Sequence, residues 1–481
     1  MNTAILYTIV AWLFVVGIYH SNKPLPHGID FESDLIKVHD RDAELLMDLT
    51  SADSSGETVY EQEIFDSVFT YIKNAEEYIL IDMFLFNSYV GPSDYVMRDL
   101  TGELKQLLIA QKQKHPDIKI DFITDPVNVF YGGAVSPEFT EMRAQDINVI
   151  ITDLHKLRDS APLFSSIWRT FFQWFGNTTR FGILPNPFDM KGEFVTLRSY
   201  LNFLNLKANH RKICIIDTPE GPISFILSAN AHSASSDFSN IGVMVRGEIA
   251  LPLYETEKAV AELSGGSLQG ESYLESTIQQ QGGGDYQLQI LTEEKINDKL
   301  MSNIDGLMES DTMYIGMFYF SSRDIIKGLL RAADRGAVIK IVLDPNKDGF
   351  GLYRSGLPTQ VIAGELTKKS AENISIRWYW TRGEQFHSKL MLVLPQDGPA
   401  SLVLGSSNYT RRNLENYNLE LDVGIIAERD TPMIRESRAY FEKIWQNSDK
   451  IYTTEYKRFE NTGPLRTLQY YIQESFGLGV Y

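Results

Sequence analysis

Short apolar runs alternate with helix-like stretches along this chain, and three of the runs recur in the same order. Stretches such as YEQEIFDSVFTYIKNAEE and SRDIIKGLLRAADRG separate them with apolar residues at helical spacing. Strand–helix alternation predicts α/β layered domains. We therefore expect two α/β units related by an approximate twofold. The repeated runs are ILIDMFLFNS (79–88) with MYIGMFYFSS (313–322), IKIDFITDPVN (118–128) with VIKIVLDPNKD (338–348), and VIITDL (149–154) with IRWYWT (376–381).

A glycine-, glutamine- and serine-rich segment separates the two repeats. Residues 264–284 contain a glycine cluster at each end, a composition typical of a linker or long loop. The predicted organisation is a first domain over 40–263, this linker, a second domain over 285–460 and a C-terminal tail over 461–481.

The N-terminus is the most apolar part of the chain. Residues 3–19 carry no charge, and this uncharged run is long enough for a short membrane span. A cleaved signal peptide needs a basic start and small residues at its cleavage site, whereas this run has no preceding Lys or Arg and ends in Tyr19 and His20. We expect residues 1–22 to be a retained anchor. One nearby cation, Lys23, leaves the side of the membrane undecided.

The first repeat is longer because of an aromatic insertion at about 155–205. Within it, LFSSIWRTFFQWF (163–175) has aromatic and aliphatic residues at helical spacing. Two interpretations stay open: a helix that covers the core, or a surface that enters the bilayer interface, where Trp and Phe are favoured. The C-terminal stretch PLRTLQYYIQESFGLGVY poses the same choice.

The composition of the chain limits the classes of partner and of metal site that it can have. The net charge of −18 and the absence of a basic stripe argue against a nucleic-acid partner. Cys214 is the single cysteine, so the chain has no internal disulfide and no cysteine-rich metal site. Its apolar neighbours indicate a packing role.

Two matching stretches carry the candidate chemistry, NHRKICIID (209–217) and FHSKLMLVL (386–394). Residues i and i+2 of a strand project from the same face, so His210 lies with Lys212 and His387 with Lys389. A Gly-Pro hairpin follows each stretch, and then a turn of small residues that ends in Asn230 or Asn408.

These residue types suit a phosphodiester. A lysine ammonium neutralises one phosphoryl oxygen and an asparagine amide donates to another. An imidazole acts as nucleophile or proton donor near neutral pH, and displacement of an alcohol from phosphorus needs both roles. Two copies of the motif meeting at one site would supply both, without a metal or cofactor.

Paired His-x-Lys motifs with downstream small-small-x-Asn turns resemble the phospholipase D superfamily, over roughly residues 40–460. With an N-terminal span, the chain is similar to bacterial cardiolipin synthases and phospholipase D-like membrane proteins. The resemblance implies a phosphohistidine on one motif and a general acid on the other, and we expect His210 as nucleophile and His387 as acid. It further implies that the phosphoryl oxygens are bound by Lys212, Lys389, Asn230 and Asn408. Glu420 matches the acidic residue that orients a histidine in this family.

The second motif departs from the family pattern. Asp217 completes the first motif, whereas Leu394 stands at the matching position of the second. Position 394 is seven residues after His387, an odd number, so in a strand its side chain faces the opposite side from His387. The aspartate at this position of the motif, Asp217 in the first copy, is therefore expected to be a supporting group. Gly242 stands where the second half has Glu420, which leaves Asn240 as the candidate to orient one histidine.

The sequence therefore predicts a membrane-anchored phosphatidyltransferase or phospholipase D-type hydrolase. Its partners would be a phospholipid, an alcohol or water acceptor and the bilayer, and its location the bacterial inner membrane. A nuclease of the same superfamily and a catalytically inactive membrane scaffold are the alternatives. The acceptor and the oligomeric state are not determined by these patterns.

Overall fold

A computed structural model describes residues 3–89, 97–189, 192–278, 282–349, 352–370, 372–461, 463–477 and 479. The strands are β1 Ile36–Val38, β2 Ala43–Ala52, β3 Thr58–Glu61, β4 Tyr78–Met83, β5 Lys119–Thr124, β6 Asn148–Ile151, β7 Lys212–Ile216, β8 Ile223–Leu227, β9 Asn240–Arg246, β10 Tyr286–Thr292, β11 Thr312–Met317, β12 Val338–Leu343, β13 Asp348–Gly349, β14 Leu352–Tyr353, β15 Ile374–Tyr379, β16 Lys389–Leu394, β17 Ala400–Gly405, β18 Leu421–Ala427 and β19 Thr453–Glu455. The α-helices are α1 Thr3–Asn22, α2 Ile64–Ile72, α3 Leu100–Lys114, α4 Pro137–Arg143, α5 Pro162–Ile167, α6 Leu197–Phe203, α7 Ala250–Leu263, α8 Glu271–Thr277, α9 Glu294–Asp305, α10 Arg323–Asp334, α11 Thr359–Lys369, α12 Arg411–Leu414, α13 Pro432–Gln446 and α14 Pro464–Phe476.

Two mixed sheets form the core of the fold, and seven strands follow the same order in both. The first sheet runs β3-β2-β9-β8-β7-β4-β5-β6 and the second β1-β10-β18-β17-β16-β11-β12-β15-β19. In each sheet the strands of the repeated runs pair in parallel, β4-β5-β6 and β11-β12-β15, and the motif strand pairs antiparallel to the first of them. The predicted α/β class is confirmed; the division into two duplicated domains and the approximate twofold stay predictions.

The alternation of side chains along each motif strand explains how the sheets stack. In β7, Ile213 and Ile215 belong to a cluster that contains residues of both sheets, whereas Cys214 and Ile216 pack in a cluster confined to the first half. In β16, Leu390 and Leu392 likewise belong to the shared cluster. One face of each sheet is therefore buried between the halves, which fixes the position of one motif relative to the other.

Segments outside the two predicted domains are integrated into the fold. Strand β1 precedes the first half in sequence but pairs antiparallel with β10 of the second sheet. The segment expected to be a linker contains α8, where Leu274 is buried and Gly270 lies against the Tyr78 ring. Residues 279–281 of that segment lie outside the described residues.

Helix α1 is the one helix among the described residues that is long and apolar enough to cross a membrane. Only Gly17 is buried in it, and α1 packs along α5 there. A Cβ at Gly17 would lie 3.4 Å from the Pro162 carbonyl oxygen, an ordinary van der Waals contact, so α1 lies directly against the start of α5 at this position. The aromatic stretch divides between the two interpretations: Trp168 is buried, whereas Trp174 and Phe175 are 74% and 66% exposed.

Candidate active site

The two motif histidines lie just before β7 and β16, where each is held by the opposite half. The His210 amide donates to the Leu419 carbonyl at 2.8 Å, and the His387 amide donates to the Ser239 carbonyl at 2.8 Å. These cross-half bonds bring the imidazole ring centroids to 6.5 Å from each other. The predicted convergence of the two motifs is therefore present in the structure.

The opposite half also orients each imidazole ring. Nδ1 of His210 lies 2.9 Å from Oε2 of Glu420. Nδ1 of His387 lies 2.9 Å from the Ser228 carbonyl oxygen and 3.3 Å from Oδ1 of Asn240. A carbonyl oxygen can only accept, so Nδ1 of His387 carries a proton and the other ring nitrogen is the one available for chemistry.

Each motif lysine folds back on its own histidine. Nζ of Lys212 donates to the His210 carbonyl at 2.5 Å, and Nζ of Lys389 donates to the His387 carbonyl at 2.6 Å. Both lysines are buried, and each ammonium lies over an aromatic ring, at 5.1 Å from Phe84 and 5.4 Å from Phe318. Each lysine ammonium therefore lies at the backbone of its own histidine and contributes positive charge to the site from that position.

Asn230 and Asn408 occupy matching positions beside the histidines. Oδ1 of Asn230 accepts from the Leu85 amide at 3.2 Å, and Oδ1 of Asn408 accepts from the Tyr319 amide at 3.4 Å. These bonds orient the two carboxamides, which both line the cavity next to the imidazoles. Their NH₂ groups are suited to donate to a phosphoryl oxygen.

A cavity of about 260 Å³, called here the catalytic cavity, opens at these residues. Both histidines, both asparagines and two arginines, Arg354 and Arg412, line it. Arg411, the sequence neighbour of Arg412, instead pairs with Glu415 at 2.9 Å. The mixture of aromatic, amide and cationic side chains matches a phosphodiester attached to an apolar group.

Asp217 does not lie with the other predicted site residues. It follows the far end of β7, where its carboxylate accepts from the amides of Glu76 and Tyr78 at 2.9 and 3.0 Å. With five strand residues between, Asp217 is roughly 20 Å along the chain from His210. Asp217 therefore binds the start of β4 to the end of β7, which fits the supporting role expected for this aspartate.

The matching edge of the second sheet explains Leu394. Leu394 pairs with Thr312 at the start of β11, as Asp217 adjoins Tyr78 in the first half. There the carboxylate comes from the neighbouring strand instead: Asp311 accepts from the amides of Gln396 and Met308 at 2.8 and 2.9 Å. The second half therefore keeps a carboxylate clamp at this sheet edge although its motif lacks the aspartate.

Burial and mutual repulsion shape the protonation of the site. Burial lowers the pKa of both histidines well below the usual range, and the ammoniums of Lys212 and Lys389 lower them further. Burial also lowers the pKa of Lys212 to about 7 and raises that of Glu420 to about 7. A phosphodiester anion in the cavity would raise the pKa values of the histidines and lysines, because it favours their charged forms.

A buried network of ion pairs binds the backbone amide of Glu420. Arg211, between the two motif residues, faces away from the cavity and donates to Glu293 at 2.9 Å and to Glu257 at 3.2 Å. Glu293 accepts from the Glu420 amide at 3.0 Å. No sequence pattern predicted this network, because its members are far apart in the chain. Phe84 and Phe318 were not predicted either, although their matching places in the repeat were a usable signal.

Comparison with known proteins adds to this geometry. Residues 304–445 match the family described as cardiolipin synthase, PLD-like domain. The structure superposes on phosphatidylserine synthase from Haemophilus influenzae Rd KW20 with a TM-score of 0.58 at 10% identity, over 97% of this chain and 98% of that one. A search of curated protein sequences returns no match. The shared architecture thus extends beyond the second half, over nearly the whole chain.

Two further solved structures overlap more loosely. Polyphosphate kinase from Porphyromonas gingivalis gives a TM-score of 0.46 at 12% identity, over 91% of this chain and 54% of that one. Nuc from Salmonella typhimurium, a phospholipase D family member, gives 0.27 at 19% identity, over 35% of this chain and 97% of that one. At these scores neither overlap bears on the function of this chain.

Proposed function

From the premise that this chain belongs to the phospholipase D superfamily, we propose that it is a membrane-anchored phosphatidyltransferase or phospholipase D-type hydrolase. The substrate would be a phospholipid, and the phosphatidyl group would pass through a phosphohistidine to an alcohol or to water. The site residues would be His210, His387, Lys212, Lys389, Asn230, Asn408 and Glu420.

One observation carries this proposal: two imidazoles from different halves lie 6.5 Å apart, centroid to centroid, in a single cavity. A phosphorus atom between the two rings would have a nucleophile on one side and a proton donor on the other. This is the arrangement that in-line displacement of an alcohol requires.

In the first step, Nε2 of His210 attacks phosphorus and forms an N–P bond. The bond between phosphorus and the headgroup oxygen breaks, and protonated His387 gives its proton to that oxygen. Positive charge develops on the His210 ring, and Glu420 at 2.9 Å stabilises it. We assign His210 as nucleophile because it has this carboxylate partner, whereas the ring of His387 faces a carbonyl and an amide.

In the second step, an alcohol or water gives a proton to His387 and attacks phosphorus. The new O–P bond forms, the N–P bond breaks and His210 returns to its neutral form. Throughout, the NH₂ groups of Asn230 and Asn408 donate to the phosphoryl oxygens, and the buried lysines contribute positive charge. Both histidines end as they began, so the cycle balances.

The anchor and the exposed aromatic residues favour a lipid substrate. Helix α1 packs on α5, and the residues after α5 expose large apolar side chains of the kind that enter a bilayer interface. The net charge of −18 opposes a nucleic-acid partner. We propose the bacterial inner membrane as its location because the chain resembles bacterial cardiolipin synthases.

The test uses purified full-length protein in mixed vesicles of phosphatidylglycerol and phosphatidylethanolamine, with lipid products identified by mass spectrometry. Cardiolipin or phosphatidate from wild type, absent with His210→Ala, is the expected result. Wild type stopped with alkali early in its reaction with ³²P-labelled phosphatidylglycerol should also carry a base-stable, acid-labile phosphohistidine, which His210→Ala should not form. Identical lipid profiles from wild type and His210→Ala would instead support the inactive scaffold.

A further inference from the structure

A second cavity, of about 400 Å³, lies beside the catalytic cavity. We call it the flanking cavity. Its walls come from the loop after β5, the end of β6, the turn after α5 and the end of α6. Tyr131 and Lys207 line both cavities, so these two side chains separate them.

The backbone at this dividing wall is unusual. Phe130, Tyr131 and Gly132 follow one another with φ values of 38°, 55° and 82°, all in the left-handed region. Two consecutive non-glycine residues in that region are strained, and such strain persists where the surrounding structure holds it, often at ligand sites. Here the Phe130 ring packs on Tyr200 and Phe203 of α6, with centroid distances of 5.3 and 6.2 Å.

One side of the flanking cavity carries an excess of positive charge. Arg169 and Lys207 both line it, and they share one carboxylate, Asp159, at 2.6 and 2.5 Å. Burial lowers the pKa of Lys207 to about 8, and the charge of Arg169 acts in the same direction. The other acidic residue beside this cavity, Asp153, lies close to a third cation, Lys23 at the end of α1, so three cations lie near two carboxylates. An anion beside Arg169 and Lys207 would balance the excess charge.

The remaining wall is apolar and adjoins the anchor. Val129, Ile151 and Trp168 line it, and Trp168 directly follows α5, on which α1 packs. The end of α1 joins the cationic side, since the Ser21 hydroxyl donates to the Asp159 carbonyl at 2.9 Å. Cationic and apolar surfaces therefore meet in one cavity at the place where the chain leaves the membrane span. This combination suits an anionic amphiphile.

We infer that the flanking cavity binds an anionic phospholipid, with its phosphate at Arg169 and Lys207 and its chains along Val129, Ile151 and Trp168. This lipid is distinct from the one that reacts in the catalytic cavity. The inference deepens the proposed function, on which it rests for the choice of a lipid. The two phospholipids would then lie on opposite sides of Tyr131.

The test is photo-crosslinking of full-length protein in phosphatidylcholine nanodiscs with a trace of phosphatidylglycerol that carries a diazirine in one acyl chain. The background variant is His210→Ala, so that binding is read without turnover. Labelled peptides are located by mass spectrometry. We expect labelling within residues 126–132 or 151–169, and competition by unlabelled phosphatidylglycerol but not by added phosphatidylcholine.

Asn202→Trp fills the flanking cavity without touching the catalytic one, because Asn202 lines only the former. We expect it to lower this labelling about tenfold relative to the matched Asn202→Ala, with labelling of α1 by bulk lipid as the internal standard. Ile151→Phe is the second variant if Asn202→Trp misfolds. Equal labelling in the filled and control variants, or equal displacement by phosphatidylcholine, would overturn the inference. Failure of the proposed function shows separately, as the absence of product from wild type.

Discussion

Glu420 of the second half lies 2.9 Å from Nδ1 of His210 in the first half. In the other direction, the Ser228 carbonyl and Asn240 of the first half hold Nδ1 of His387. Each half therefore supplies the group that orients the histidine of the other. Neither half contains a complete site, and correct packing of the two sheets is a condition for the proposed chemistry.

The cross-half contact predicts a large effect of Glu420→Gln. The amide keeps the shape of the side chain but not the charge that stabilises the His210 ring, so turnover should fall by about 10²- to 10⁴-fold. Glu415→Gln, which removes an exposed carboxylate paired with Arg411, is the matched control and should leave turnover unchanged. Lipid product formation checks both. Wild-type turnover by Glu420→Gln would contradict the assigned role.

Removal of Asp217 should affect stability and spare the chemistry. Asp217→Ala leaves two amides at the start of β4 without their acceptor, which costs about 1–3 kcal/mol of unfolding free energy. Asp311→Ala should cost a similar amount, because Asp311 accepts two amides at the matching edge of the second sheet. Chemical denaturation measures both variants. A loss of turnover in Asp217→Ala at temperatures where it stays folded would instead give Asp217 a direct role in the reaction.

Anion binding at the catalytic cavity should weaken as the pH rises through about 7. The pKa of Lys212 is lowered to about 7 by burial, so this lysine is cationic below that pH and neutral above it. Glu420, whose pKa is raised to about 7, becomes anionic over the same interval, which acts in the same direction. Burial lowers the pKa of both histidines well below the usual range and a bound anion raises it, so proton uptake by the histidines also favours binding at the lower pH.

Sulfate is a suitable probe for this effect because its charge stays constant across the interval. Calorimetric titration at a pH of about 6 and about 9 should give tighter binding at the lower value. Lys212→Met should bind sulfate more weakly and with a shallower pH dependence. Affinity that is independent of pH in wild type would exclude Lys212 from the anion site.

The exposed aromatic residues after α5 should enter the bilayer. Trp174 is 74% exposed, and an aromatic side chain at that exposure gains free energy at the membrane interface. Brominated lipid quenches the fluorescence of tryptophans that enter the bilayer. In vesicles that contain it, the quenched fraction of the tryptophan fluorescence should therefore be smaller for Trp174→Tyr than for wild type. Trp445→Phe, on the distant helix α13, should leave the quenched part unchanged. Equal quenching in Trp174→Tyr and wild type would place this surface in water.

Local patterns in the sequence determined most of the candidate site by themselves. The apolar runs and the repeated order predicted both sheets, since strand and helix periodicities are properties of neighbouring residues. The same patterns identified His210, His387 and the two asparagines, because a duplicated motif places an asparagine 20 or 21 positions after each histidine. The uncharged run at residues 3–19 likewise predicted the helix α1.

Only the tertiary structure decided how distant parts of the chain meet. Glu420 contacts His210 from 210 positions away, and the network of Arg211 with Glu293 spans 82. The replacement of the missing second aspartate by Asp311 depends on which strands are neighbours. The two cavities on either side of Tyr131 depend on the packing of separate loops. Such contacts arise from the burial of one face of each sheet between the halves, and no local pattern encodes that pairing.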